Sequence, residues 1–139
     1  MNSAATLSVP QLTPWMPGPH ENVTASVVLS VTEFVADRRL DLPGIMLKGL
    51  RMRAGWYGMP GAVGMWLWTL PGTTVRSGSI SVWTNEADLD RFVNLPHHVA
   101  IMTRYSDRGR TRSIRWAEPE FNPAAVIDKA RAWIAGDPG

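Results

Sequence analysis

The stretch that most constrains the fold is 77–116, which predicts a strand, two consecutive helical segments and a second strand. In 77–83, apolar and small polar residues alternate with the period of two that is typical of a strand with two different faces. We expect a helix to follow from Thr84 or Asn85, either of which can cap its first turn. Pro96 then starts a second segment, because proline lacks the backbone N–H that a continuous helix needs. This order predicts half of an α+β sandwich.

The rest of the chain supplies the other strands and helices of such a sandwich. The expected elements are a strand at 23–34, a helix at 42–55, strands at 65–70 and 74–83, helices at 85–93 and 96–105, a strand at 110–116 and a helix at 123–136. Their order is the ferredoxin-like βαββαβ arrangement, an α+β fold with an antiparallel four-stranded sheet and here an extra C-terminal helix. Residues 1–22 carry four prolines without periodicity, which predicts an extended, partly disordered N-terminal arm before a single domain at 23–139.

Composition excludes several classes of protein. Since 45% of the 139 residues are hydrophobic, the chain can build one domain with a real core. The absence of cysteine excludes disulfide frameworks, thiol catalysis and cysteine-based zinc sites. Because no basic leader or long apolar run occurs, we expect no membrane partner and a cytoplasmic location. A formal net charge of only +2 also argues against a nucleic-acid partner.

One face of the predicted sheet calls for a cover that the two main helices do not supply. Apolar residues alternate onto both faces of the strands, so the second face must also be buried. The economical solution is a homodimer whose sheets pack together. The alternative cover is the last helix, either on its own chain or exchanged onto a partner.

Four features spread over about 23–116 carry a family resemblance. They are a strand ending in Ser81-x-Trp83, a helix with Leu89-x-x-Phe92, a Pro96-His97-His98 segment with Met102 after it, and a strand ending at Trp116. In these features the chain resembles the dimeric α+β barrel superfamily, and is most similar to spheroidene-monooxygenase-like and antibiotic-biosynthesis-monooxygenase-like proteins. The resemblance implies a ferredoxin-like fold assembled as a dimeric α+β barrel. It leaves the reaction open, because the superfamily includes cofactor-free oxygenases, haem-binding and haem-degrading proteins, isomerases and cyclases.

His98 is the best candidate for chemistry. It shares one apolar helix face with Met102 and Tyr105, which follow it by four and seven residues. A neutral imidazole there would act as a general base on an acidic phenol or as a haem ligand, and the alternative is a buried histidine bonded to backbone. His97 points about 100° away on a regular helix. Without a third ligand we expect no zinc or non-haem iron site.

Tryptophan and methionine are unusually frequent, with seven of each. They would either serve as core packing or form a broad apolar cavity for a hydrophobic, flat aromatic or polyene ligand. A glycine at every third position of 55–64 predicts a winding connection. The alternative is a loop that also borders a ligand, with Trp56 or Tyr57 in its wall. The expected ligand-binding residues are Trp56, Trp66, Trp68, Trp83 and Met102.

The leading hypothesis is a cofactor-independent monooxygenase-like enzyme, or a related isomerase or cyclase, that acts on an aromatic or polyene secondary metabolite. His98 would remove a proton, and Tyr105 or Arg115 would stabilise the resulting oxyanion. Glu33 is the one acid that we expect near the pocket mouth. The alternatives are a haem-binding or haem-degrading barrel, with haem as cofactor and His98 as its ligand, and a non-catalytic dimeric ligand-binding protein.

Overall fold

The computed structural model describes residues 10–70 and 75–136, which form an antiparallel sheet with helices on both of its faces. Its strands are β1 (Gln11–Leu12), β2 (Met16–Pro17), β3 (Val27–Ala36), β4 (Ala62–Leu70), β5 (Val75–Trp83) and β6 (Gly109–Glu118). Its α-helices are α1 (Leu42–Ala54), α2 (Glu86–Val93), α3 (Pro96–Tyr105) and α4 (Pro123–Ala135). Short 3₁₀ turns lie before and after α1, at Arg39–Asp41 and Trp56–Gly58.

The four long strands lie in the order β4-β5-β3-β6, and every neighbouring pair is antiparallel. This order confirms the predicted ferredoxin-like βαββαβ fold with an additional C-terminal helix. The least accurate boundary is the start of β3, at Val27 rather than at residue 23, and β4 begins at Ala62 rather than at residue 65. Gly61 belongs to the glycine-rich stretch that the sequence predicts to be a loop, and its φ is 79°. This left-handed conformation, which glycine adopts readily, turns the chain into β4.

Two of the four helices, α2 and α4, begin at side-chain caps that the sequence predicts. Asn85 and Asn122 accept hydrogen bonds from the backbone N–H groups of Asp88 (2.8 Å) and Ala125 (3.2 Å), as N-caps do. Asp41, which the sequence suggests as the cap of α1, makes no such bond. The preceding 3₁₀ turn already places Asp41 in a helical conformation, with φ of −81° and ψ of −15°, whereas an N-cap needs extended backbone.

The sheet face that lacks cover from α1, α2 and α3 is covered by α4 of the same chain. Val126, Ala130 and Ile134 form the buried stripe of α4 and belong to one apolar cluster with inward-facing residues of the strands, such as Val31 and Ile80. A partner sheet is therefore not needed to bury this face.

The described part of the N-terminal arm is extended but paired with the sheet. β1 and β2 add to the outer edge of β4. Between them Trp15 lies over Gly64, where any side chain would overlap its indole ring. The Trp15 ring lies 4.5 Å from the ring of Trp66 and 5.3 Å from that of Phe121. Residues 1–9 of the predicted arm lie outside the described residues.

A buried ion cluster fastens α4 to the sheet. The carboxylate of Glu33, which is 1% exposed, accepts hydrogen bonds of 2.7 Å from the Nε atoms of Arg76 and Arg112. The same two guanidinium groups donate to the carbonyls of Ile134 and Trp133 in the last turn of α4. Cations at a helix C-terminus are favourable because its carbonyls lack partners. The carboxylate of Glu33 is thus fully engaged, and is not a free acid at a pocket mouth.

Replacing Glu33 with glutamine should lower the free energy of unfolding by about 3–5 kcal/mol, because two largely buried guanidinium groups lose their counter-charge. Urea denaturation followed by tryptophan fluorescence measures the change. The matched control is Arg91→Met, which removes a surface pair with Asp88 and should cost less than about 1 kcal/mol, since Arg91 is 61% exposed. Equal losses in the two variants would contradict a structural role for the buried cluster.

Candidate functional site

A cavity of about 860 Å³ lies between the sheet and the helices α1, α2 and α3, on the face opposite α4. This volume falls within the range of known small-molecule sites. The floor of the cavity is the sheet, and its roof is formed by α1 and α3. Two chemically different surfaces therefore face each other across the space.

The floor is a surface of hydroxyl groups. Strand register places Ser30 beside Ser81, and it places Thr32 between Ser79 and Ser113. The hydroxyl oxygens of Thr32 and Ser79 are hydrogen-bonded at 2.8 Å. The hydroxyl residues that line the cavity floor are Ser30, Thr32, Ser77, Ser79, Ser81, Thr111 and Ser113. The sequence shows that hydroxyl residues alternate along three strands, which indicates that each strand has a polar face. Only the pairing of the strands brings these faces together into one surface.

The roof is mainly apolar, and the cavity separates it from the sheet. No residue of α1 is fully buried, although Ile45, Met46 and Met52 face the cavity, as Ile101 and Met102 of α3 do. Methionine and isoleucine side chains adapt well to flat apolar ligands. The cavity can therefore hold a ligand that has an apolar body and oxygen atoms along one side.

His98 lies in the wall of this cavity as a neutral base. Its ring is 4.8 Å from the ring of Phe92, and its Nδ1 atom is buried without a hydrogen-bond partner in the described structure. Burial lowers the pKa of His98 below 6.5, which the backbone of Val93 opposes and the nearby charge of His97 reinforces. The imidazole is thus uncharged at neutral pH and able to accept a proton.

Trp56 brings an unpaired donor to the same end of the cavity. It lines the cavity, is 1% exposed, and packs edge-on against Phe92 at 5.1 Å and Trp83 at 5.2 Å. Its Nε1 atom is buried and has no hydrogen-bond partner among the described residues. Leaving such a group unpaired costs about 1–3 kcal/mol, and a hydrogen-bond acceptor that reached this buried atom would recover that cost. The indole N–H of Trp56 was not predicted as a donor, because sequence does not show which polar atoms lack partners.

Tyr105 and Arg115 also line the cavity, at other positions. Tyr105 follows His98 by seven residues, or about 10 Å along α3, and its hydroxyl lies close to Gly44 at the start of α1. Arg115 pairs with Asp90 at 2.6 Å and Glu86 at 3.3 Å. The hydrogen bond to Asp90 is the main cause that raises the pKa of Arg115. Its charge is therefore already matched by two carboxylates at the cavity rim.

The predicted tryptophan wall is only partly formed. Trp56 and Met102 line the cavity, and Trp68 contributes to the lining although its ring belongs to the core under α4. Trp66 lies in that same core and does not line the cavity, because alternate residues of β4 face opposite sides of the sheet. Trp83 is buried behind the cavity, where its Nε1 donates to the Ser81 hydroxyl at 2.9 Å. Trp66 and Trp83 therefore do not line this cavity, and their role in ligand binding stays a prediction.

The described residues contain neither a metal-binding group of side chains nor a membrane-spanning helix. Within residues 10–70 and 75–136, no three or more histidine, aspartate or glutamate side chains are grouped so that they would hold a metal ion. Over the same ranges, none of the helices combines the length and the apolar character that crossing a bilayer requires.

Known structures resemble this one, although no protein-family model and no curated protein sequence matches the chain. A Listeria monocytogenes ferredoxin-fold protein related to antibiotic biosynthesis monooxygenases shares 17% identity at a TM-score of 0.57, over 81% of this chain and 65% of that one. The fold is ferredoxin-like. SnoaB, a cofactor-independent oxygenase from Streptomyces nogalater, shares 18% identity at a TM-score of 0.53, over 70% of this chain and 97% of its own.

Further structural neighbours are described by other activities, by their assembly or by their greater length. LmHde, a haem-degrading enzyme from Listeria monocytogenes, shares 14% identity at a TM-score of 0.54, over 75% of this chain and 68% of its own. A Bacteroides fragilis protein described as dimeric shares 17% identity at a TM-score of 0.54, over 68% and 96% of the two chains. The chain spans only 50% of a longer neighbour from Lactobacillus acidophilus. These likenesses confirm the predicted resemblance at the level of the fold.

In the folded protein, His98 should titrate below 6.5, because burial disfavours the imidazolium ion. Proton–carbon NMR of the ring Cε1–H measures this pKa directly, and in the urea-unfolded chain it should return to about 6.5. Since the unfolded chain then binds a proton that the folded chain resists, the free energy of unfolding should fall as the pH drops below 6.5. His98→Gln should reduce that fall. A folded-state pKa at or above 6.5 would contradict the neutral base.

Proposed function

We propose that this protein is a monooxygenase-like enzyme that binds an apolar aromatic or polyene compound in the cavity and oxidises it without a cofactor. The observation that carries the proposal is the pair of buried, unpartnered polar atoms at one end of the cavity, Nδ1 of His98 and Nε1 of Trp56. One can accept a proton and the other can donate a hydrogen bond. The fold is shared with SnoaB, which is named a cofactor-independent oxygenase.

His98 is the proposed general base. Its lowered pKa keeps the imidazole neutral at pH 7, so that it can take a proton from an acidic phenol or enol. Phe92 packs against its ring at 4.8 Å and restricts its orientation. Because the surroundings are largely apolar, proton transfer to His98 is favourable only from a substrate whose anion is delocalised.

Trp56 is the proposed stabiliser of the negative charge that develops on the substrate oxygen. Its indole N–H is buried, has no partner and is fixed between two aromatic rings, so it need not reorganise when charge appears. Tyr105 and Arg115, predicted for this role, line other parts of the same cavity. We retain them as residues that contact the distal part of a long substrate.

The proposed reaction needs dioxygen as its only co-reactant and oxidant. After His98 removes a proton from an activated CH₂ group, the carbanion forms a C–O bond with O₂, and the resulting peroxide anion is protonated. Loss of water from the hydroperoxide leaves a carbonyl group, so that carbon is oxidised while one oxygen atom is reduced to water. The enzyme contributes binding, one proton acceptor and one hydrogen-bond donor.

Anthrone is a suitable probe, because its CH₂ group ionises to a delocalised phenolate-like anion. The protein should accelerate oxygen uptake with anthrone in an oxygen electrode, and His98→Gln should lower the rate by about 10²-fold or more. Trp56→Phe keeps the ring packing but removes the N–H, and should also be slower. The matched control is His20→Gln, at an exposed position outside the cavity.

Three outcomes of this assay separate the alternatives. An unchanged rate in His98→Gln would eliminate His98 as the base. Conversion of the probe without oxygen uptake would indicate an isomerase or cyclase. Saturable binding without any turnover would favour the non-catalytic ligand-binding protein.

Haem binding is the second candidate function. It is favoured by a neutral histidine in an apolar cavity wall and by the shared fold with LmHde, which is named a haem-degrading enzyme. The residues fit such a group, because His98 would supply a nitrogen ligand and the apolar residues of the roof would contact the porphyrin. Haem, when bound, would supply the redox chemistry that the side chains lack.

Titration of the protein with haemin should, under this second candidate, give a saturable Soret band at about one haem per chain. His98→Ala should abolish or shift the band, because no other histidine lines the described cavity. Tyr105→Phe is the matched control, since it alters the opposite end of the cavity and should preserve the band. A featureless, non-saturating titration would exclude haem and leave the cofactor-free proposal in place.

A homodimer and a cytoplasmic location remain predictions. One structural neighbour is described as dimeric. Because α4 covers the sheet face that a partner sheet would otherwise bury, a dimer of this chain would have to exchange α4 or use another surface. Exposed apolar residues of α1, Leu47 and Leu50, offer such a surface.

A further inference from the structure

Three cations line the cavity, and two of them, Arg112 and Arg115, are paired with carboxylates in the described structure. Arg112 shares the carboxylate of Glu33 with Arg76 beneath the sheet, and Arg115 is paired with two carboxylates at the rim. His98 is uncharged at neutral pH. Lys48 also lines the cavity, and no carboxylate of the described residues lies within ion-pair distance of it. The cavity therefore carries an unmatched positive charge.

Lys48 occupies the middle of the apolar roof. At the start of α1, Gly44 contacts the Tyr105 hydroxyl, and beyond the end of α1, Trp56 contacts the Phe92 and His98 cluster. Lys48 therefore lies between the two ends of the cavity. It is partly buried in a cavity wall that also contains Ile45, Met46 and Met52, and an ammonium group there loses part of its hydration. An anion at this position would recover that loss.

We propose that the cavity selects an apolar, flat ligand that carries a carboxylate, and that Lys48 is the counter-ion of this carboxylate. The inference rests on the proposed function, since it names the class of compound that the same cavity binds. The carboxylate contacts Lys48 under the roof, while other oxygen atoms of the ligand face the hydroxyl floor. Lys48 thereby determines which end of the ligand reaches His98, and it is a specificity residue rather than a catalytic one.

The test uses two probes of equal shape, 2-naphthoate and its neutral counterpart 2-naphthamide, measured by isothermal titration calorimetry at pH 7.5. The wild-type protein should bind the acid about tenfold more tightly than the amide, as expected for one charge-assisted hydrogen bond. Lys48→Met, which keeps the length of the side chain but removes its charge, should bind both probes equally. Arg51→Met is the matched control, because Arg51 is exposed on α1 and does not line the cavity, and it should retain the preference.

This experiment distinguishes a failure of the Lys48 proposal from a failure of the proposed ligand site. Equal binding of both probes by the wild-type protein, or a preference that persists in Lys48→Met, would overturn the role of Lys48 and leave the cavity as a ligand site. Binding of neither probe by the wild-type protein would overturn both proposals. Circular dichroism checks that Lys48→Met is folded, and Lys48→Gln replaces it if it is not.

Discussion

The structure depends on the ion cluster that Glu33 forms with Arg76 and Arg112 beneath the sheet. A carboxylate that is 1% exposed would be strongly unfavourable without these two guanidinium groups. They in turn bond to the last carbonyls of α4, and Arg112 also stacks on the ring of Trp133 at 3.9 Å. The cluster therefore fixes the orientation of α4 across the sheet. With that apolar face covered from within the chain, the sheet presents its other face to the cavity.

The two faces of the sheet have opposite compositions because side chains alternate along each strand. One face is packed with valine, leucine, isoleucine and tryptophan against α4. The other carries a row of serine and threonine hydroxyls, which cannot form a dry core with α1 and α3. Helix α1 accordingly buries none of its residues completely, and the space beneath it remains as a cavity of about 860 Å³. The cavity is thus a consequence of the polar strand face.

The chemistry of the cavity follows from groups that the fold leaves without partners. Nδ1 of His98 and Nε1 of Trp56 are buried and unpaired, and Lys48 has no carboxylate beside it in the described structure. By contrast, Arg115 is already engaged by Asp90 and Glu86. Polar groups that already have partners stabilise the fold. Those without partners favour a ligand that can accept a hydrogen bond, donate a proton and carry a negative charge. This division supports a small-molecule enzyme more directly than the fold does, because the fold hosts several functions.

Local sequence patterns determined the secondary structure and most of the topology. Asn85, Pro96 and Asn122 mark helix starts through hydrogen bonds and backbone restrictions that extend over a few residues, and the structure places helices there. The position of His98 on a cavity-facing helix surface also followed from helical periodicity. Which side of the sheet Trp66 faces, where α4 lies and which polar atoms lack partners were decided only by the tertiary structure. Those properties depend on strand register and on contacts between distant residues, such as Glu33 with Arg112, which no local pattern encodes.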